Sequence, residues 1–170
     1  MRYDDPVEAA RGFAIDFIGF TDPLIGEFVQ GDSRSGEVEV RSIETFAPTI
    51  VFVRQLGPDD TWWVLGSATE NIVVDAPEAL ASIGSPFTVS GQSRAFEGTV
   101  EVEIRADSVD EPIFESFVTG GGFEGLSPFA EVFAFPNPGS GSGAIVFQTT
   151  CSDDGRIWEA GVIRVSFAAN

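Results

Sequence analysis

The 170-residue chain contains no histidine, no lysine and a single cysteine, Cys151. Without imidazole, Ser-His-Asp triads and His-bearing zinc sites are excluded. Without a second thiol, so are an intramolecular disulfide and a multi-thiolate cluster. Positive charge is scarce: 9 arginines face 27 acids, for a net charge of -18. Tracking a phosphate backbone or an anionic bilayer surface depends on clustered cations that displace counterions, so nucleic acid is excluded as a partner. No stretch supplies the about 18 uninterrupted apolar residues of a membrane-crossing helix, because glycines and acids break every run, and direct membrane insertion is not expected. Met1–Asp5 leads into Pro6 without the cationic and apolar regions of a secretion signal.

What remains is a chain with 43% hydrophobic residues. At this length a folded chain buries about 70% of its unfolded surface, enough for one domain or two small ones. The acids are spread evenly, -8 over residues 1–74 and -10 over 75–170, so the charge describes the whole exterior rather than one binding face. Sixteen phenylalanines against one tyrosine point to ring burial, since phenylalanine has no polar handle to leave in water.

The pattern divides near residue 70. Asp5, Pro6 and Glu8 form a helix start, with a capping carboxylate, a proline suited to the first helical position and an acid in the first turn. Val7, Ala10, Phe13, Ala14, Phe17 and Ile18 recur at helical spacing, and Gly19 is the expected stop. Strand-like runs at 27–30, 36–44, 49–56 and 62–68 follow, with the Gly57-Pro58-Asp59-Asp60 turn the clearest hairpin. Residues 1–70 therefore read as a small α+β module, one helix on an antiparallel sheet. Beyond residue 71 helical spacing disappears. Short alternating segments at 71–75, 87–93, 99–106, 113–119, 129–135, 144–150 and 157–167 are separated by turn residues, the pattern of a seven-stranded β-sandwich over 71–170. Val100, Val102 and Ile104 should face inward, with Glu101, Glu103 and Arg105 outward. The whole chain is expected to be mainly β.

Few residues carry a chemical signal. Gly120, Gly122 and Gly125 spell G-x-G-x-x-G, but the phosphate-binding version needs a strand before it and a helix after it. Leu126-Ser127-Pro128 opens a strand pattern instead, so the reading is a flexible inter-strand loop. Asp59-Asp60 and Asp153-Asp154 sit in turns, where short acids bond their own backbone. Asp107, Asp110 and Glu111, or Asp153 and Asp154, offer hard oxygen ligands, with a weak cation contact as the reading beyond plain solvation. Cys151 is in phase with Ile145, Phe147 and Thr149 and is expected to be a buried, unpaired thiol. The candidate ligand or partner contacts are aromatic: Trp62 and Trp63, which point to opposite sides of one strand, together with Trp158 and Phe123. No catalytic group, cofactor or metal ligand is assigned.

Ser85-Pro86-Phe87-Thr88-Val89-Ser90-Gly91, then Arg94-Ala95-Phe96-Glu97-Gly98-Thr99-Val100, then Phe129 in a Ser-Pro-Phe strand start and Ser152-Asp153-Asp154-Gly155, resemble the immunoglobulin-like domain of bacterial spore germination proteins, named for its association with the GerMN domain. The similarity runs over about 71–170. It implies a β-sandwich without known catalysis, carried by exported or lipid-anchored envelope proteins. From the residues themselves, Phe87 and Val89 should point inward and Gly91 should mark a close backbone approach. Phe96 should plug the sandwich, and Glu97 should accept backbone hydrogen bonds at the strand entrance.

The expected function is thus a non-catalytic cell-envelope or secreted binding or scaffold protein with a protein or envelope partner. That placement looks for a leader or lipid-bearing cysteine upstream of Met1; a cytoplasmic protein is the other setting. A carbohydrate-binding module using Trp62, Trp63 or Trp158 as a stacking face is the alternative reading. A small NTF2-like enzyme, with Asp16 or Glu44 lining a deep pocket, is the third.

Overall fold

A computed structural model describes residues 3–107 and 109–168, and they form two compact units. The first comprises the chain up to Thr69 together with 150–160; the second comprises Glu70–Thr149 and the chain from Gly161. A linear division at residue 70 assigns 150–160 to the second unit. The structure groups it with the first.

In the first unit, helix α1 (Pro6–Gly12) begins where the Asp5 carboxylate accepts hydrogen bonds from the N–H groups of Val7 (2.8 Å) and Glu8 (3.0 Å). These are orphan donors of the first turn, so the cap was legible from sequence. Glu8 does not reach back to the cap and pairs with Arg11. The helix continues over Phe13–Ile18 as a π-helix, and Gly19, at φ 101°, ends it by donating to Ala14 O at 3.0 Å. Ahead of the helix, Trp62 N–H donates to Tyr3 O at 2.8 Å. The Tyr3 ring lies against Gly12, where any added Cβ would overlap it. Burial, then the charges of Asp16 and Glu8, push the Tyr3 phenol above its usual range.

Strands β1 (Leu24–Gln30), β2 (Ser35–Arg41), β3 (Thr49–Leu56) and β4 (Thr61–Ala68) form an antiparallel meander in chain order. Helix α1 packs across all four. Its Ala9 and Ala10, and Ala14 of the π-helical continuation, are buried, as are Val38, Val40, Val51, Val53 and Trp62, so small helix residues let the backbone approach a valine-rich sheet face. The segment 150–160 adds a turn and the opening residues of a long strand, introduced below. There Ala160 N–H donates to Thr49 Oγ1 (3.0 Å) and Ser67 Oγ donates to Ala160 O (2.8 Å). The Thr69 hydroxyl donates to the buried Glu159 carboxylate.

The second unit is a sandwich. Strands β5 (Ile72–Ala76), β6 (Ser82–Ile83), β7 (Phe87–Ser93), β8 (Thr99–Ala106), β9 (Phe114–Thr119), β10 (Ser127–Phe133), β11 (Ser142–Thr150) and β12 (Ile157–Phe167) follow in order; the first residues of β12 and the last of β11 are those assigned to the other unit. One sheet runs β12-β11-β8-β9, with β6 pairing in parallel with the end of β12; the other runs β10-β7-β5. All seven expected strands form. The short β6 has too few residues to show a period and was not legible. Val89, Val100, Val102, Ile104, Phe129, Phe133, Ile145 and Phe147 fill the space between the sheets, while Glu101, Glu103 and Arg105 occupy the opposite face of β8, as alternation requires.

A bidentate ion pair ties the β8 end to β12. Asp107 Oδ1 accepts from Arg164 Nη1 at 2.7 Å, Oδ2 accepts from Nη2, and Ser142 Oγ donates to Oδ2 at 2.6 Å. The Arg164 hydrogen bonds, opposed by partial burial and aided by Ser142, hold the Asp107 carboxyl below its usual range. Its stabilising effect is therefore complete above the ordinary aspartate value of about 3.9 and is lost as pH falls through the lowered value. Both side chains are partly exposed, so Asp107→Asn should cost about 1 kcal/mol at neutral pH. Urea unfolding of both proteins at neutral pH and near pH 2 checks this. The difference should vanish in acid, and an undiminished difference there would show that the charge is not its source.

Candidate functional site

The β3–β4 hairpin sends Trp62 and Trp63 to opposite faces. Trp62 is 9% exposed and meets Phe28 edge-on at 5.2 Å, so it belongs to the core. Trp63 is 37% exposed. Its indole Nε1 donates to Thr61 Oγ1 at 3.0 Å, which fixes the ring plane from within its own strand. Leu56, Gly57, Pro58, Asp59 and Thr61 join Trp63 around a pocket of about 220 Å³ at the turn. Gly57 and Asp60 hold left-handed backbone here, φ 77° and 52°, which lets the turn fold beside the indole. Trp158 is half-buried against Phe46, with ring centroids 4.7 Å apart. The three tryptophans thus do not form one exposed coplanar face.

A second aromatic feature lies on the sandwich. Phe123 is 66% exposed and Phe96 39% exposed, with centroids 5.7 Å apart and ring planes at 57°. Phe96, expected to plug the sandwich, is instead exposed. The Phe96–Gly98 turn puts Glu97 at φ 54° and Gly98 at φ 73°, and that reversal leaves Phe96 outside. Glu97 is likewise in solvent, and its expected role of accepting backbone bonds is not realised among the described residues. Phe96 is the exposed aromatic that sequence reasoning placed in the interior. The available signal was the Phe-Glu-Gly turn itself.

The start of the glycine loop is tied to neighbouring backbone. Gly120 N–H donates to Gly98 O and Gly121 N–H to Ser93 O, both at 2.8 Å, while Ala95 N–H donates to Gly121 O at 2.9 Å. A Cβ on Gly121 would sit 2.1 Å from Gly125 O, so close backbone approach explains this glycine. The Gly120 and Gly121 amides, two of those a bound phosphate would use, already donate to carbonyls.

The acids are dispersed. Both oxygens of Asp107 are held by Arg164 and Ser142, whereas Asp110 and Glu111 are exposed. The backbone N–H of Arg156, the Cys151 side chain and the Arg156 charge lower the Asp154 carboxyl. Among the described residues no group of three or more His, Cys, Asp or Glu side chains is placed to hold a metal. Asp16 and Glu44 lie on the surface and not in an interior pocket. Cys151 is half-buried rather than buried, because β11 ends at Thr150 and a turn begins. Its backbone there accepts from Gly155 N–H at 2.9 Å. No described helix is long and apolar enough to cross a membrane, which leaves strand-built membrane proteins unaddressed.

The family profile for the immunoglobulin-like domain of bacterial spore germination matches residues 71–156. It covers β5 through β11 of the sandwich and extends into the 150–160 segment of the first unit. A comparison with curated proteins gives no match.

Proposed function

Because the chain belongs to the family of the immunoglobulin-like domain of bacterial spore germination, we propose that it is a non-catalytic binding or scaffold protein of the cell envelope or the exported space. The observation that carries this reading is the solvent-exposed Phe96–Phe123 pair beside a glycine loop whose Gly120 and Gly121 amides are hydrogen-bonded. Covering exposed apolar rings removes their surface from water, worth about 25 cal/mol per Å² before the entropy costs of association are subtracted. Leu126, also exposed, extends the apolar surface along the same loop. Such a surface suits recognition of a protein or envelope component and supplies no nucleophile or acid–base pair.

The test is retention of the labelled chain on isolated envelope fractions of its source, native against Phe123→Ser. Saturable binding weakened at least about tenfold by the substitution is the expected result, on the scale of an aromatic contact residue. The fold should be unaffected, with stability changed by less than about 0.5 kcal/mol, since Phe123 is mostly exposed. Equal retention of the two proteins would remove this surface from the function.

A further inference from the structure

We propose that the Trp63 pocket of the first unit is a receptor for a single arginine side chain presented by a partner protein, a site separate from the Phe96–Phe123 surface. At about 220 Å³ the cavity falls below the roughly 300–1,000 Å³ of pockets that hold drug-sized ligands, so it accepts a side chain rather than a large molecule. Its walls are largely apolar: Leu56, Pro58 and the indole of Trp63. Thr61 holds that indole in place through the Nε1 hydrogen bond of 3.0 Å, so the ring is positioned before any ligand arrives.

The charges around the hairpin select the ligand. Three acids lie in the β1–β2 and β3–β4 turns: Asp32, Asp59 and Asp60. Asp60 pairs with Arg34, and Asp32 lies 3.8 Å from Arg54. Asp59, the acid that lines the pocket, makes no ion pair among the described residues. Arg54 stands directly across the sheet from Trp63, yet its guanidinium is directed to Asp32. The pocket therefore combines a fixed indole with one carboxylate that makes no ion pair among the described residues. A planar guanidinium satisfies both at once, stacking on the indole while its N–H groups donate to Asp59. A sugar ring fits less well. The lining holds one carboxylate and one hydroxyl, and the Thr61 oxygen already accepts from Trp63, so the several convergent polar groups that orient a polyol are missing. The net charge of -18 favours approach of a cationic segment and opposes docking of a second copy of the chain.

The experiment follows the three indole N–H resonances of the ¹⁵N-labelled full chain, that of Trp63 identified by its loss in Trp63→Phe. The probes are capped arginine, capped citrulline, which keeps the shape and removes the charge, and maltose. Capped arginine is expected to give a saturable shift confined to the Trp63 indole and the 56–63 amides, at least tenfold stronger than citrulline or maltose. Asp59→Asn should erase the preference for arginine over citrulline. Any of three results would overturn the proposal: equal shifts from citrulline, tighter binding of maltose, or arginine shifts spread over the acidic surface and unchanged in Asp59→Asn. An unaltered amide spectrum away from the hairpin verifies that both variants are folded. Binding here is measured without reference to Phe123, so its failure leaves the sandwich surface untouched, and the converse holds.

Discussion

Replacing Gly91 with alanine is expected to destabilise the sandwich by about 2–3 kcal/mol, the cost of forcing extra volume into a packed interior. A Cβ at this position would lie 2.2 Å from Val73 O, 3.0 Å from Val74 Cα and 2.8 Å from the Phe129 ring. Two of these obstacles are backbone of β5, and the third is a buried ring, so no flexible side chain can move aside. Gly91 also sits in the middle strand of the β10-β7-β5 sheet, opposite Val74 on one side and Phe129 on the other. Relief at one edge would strain the other. Gly122→Ala is the control: open space surrounds its Cβ position and its φ is not left-handed, so the change should stay within about 0.5 kcal/mol. Denaturant unfolding of both variants measures the contrast. If Gly91→Ala proved as mild as Gly122→Ala, β5 would be free to shift and the close approach would have no energetic meaning.

A larger loss is expected from Phe147→Ala, about 3–5 kcal/mol. Phe147 has no exposed surface and is among the largest fully buried side chains; its ring centroid lies 6.4 Å from that of Phe129 in the facing sheet. It stands opposite Val102 across β11 and β8, near the centre of the cluster. Truncation removes the hydrophobic transfer energy of the ring and leaves a cavity bounded by two sheets that cannot collapse without breaking their hydrogen bonds. Against a typical domain stability of 5–15 kcal/mol this is a large fraction. Phe117 makes the comparison informative. It is 60% exposed on β9, and Phe117→Ala should shift the urea midpoint little. Comparable midpoints for the two variants would refute the assignment of Phe147 to the core.

Particular residues show why much of this architecture could be read in advance. Asp5 and Gly19 bracket the helix because their chemistry is local: a carboxylate meets orphan N–H groups, and a residue without Cβ takes φ 101°. Val100, Val102 and Ile104 alternate with Glu101, Glu103 and Arg105 because a strand has two faces and water lies on one. The failures arise where the deciding contact is distant or the period breaks. The π-helical stretch keeps Ala14 and Ile18 inside while the stacked Phe13 and Phe17 stay half-buried, a shift that helical spacing alone does not announce. Cys151 looked buried by extension of β11, but its strand ends one residue earlier. Phe96 looked buried by its apolar character, yet the left-handed turn at Glu97 and Gly98 turned it to water. Of the aromatic contacts, adjacency on one strand was enough to separate Trp62 from Trp63. The pocket beside Trp63 was invisible, because it depends on how the Gly57–Asp60 turn folds over the hairpin end.

The assignment of 150–160 to the first unit makes this chain a poor candidate for modular exchange. A gene fusion that replaced residues 1–69 alone would remove Thr49 from the Ala160 amide, Ser67 from its carbonyl and Thr69 from the Glu159 carboxylate, three hydrogen bonds lost at a single crossover. Shuffling at this boundary would succeed only when a second, distant stretch of about ten codons travelled with the first. Inheritance of the two units should therefore be joint, whatever partners each acquired.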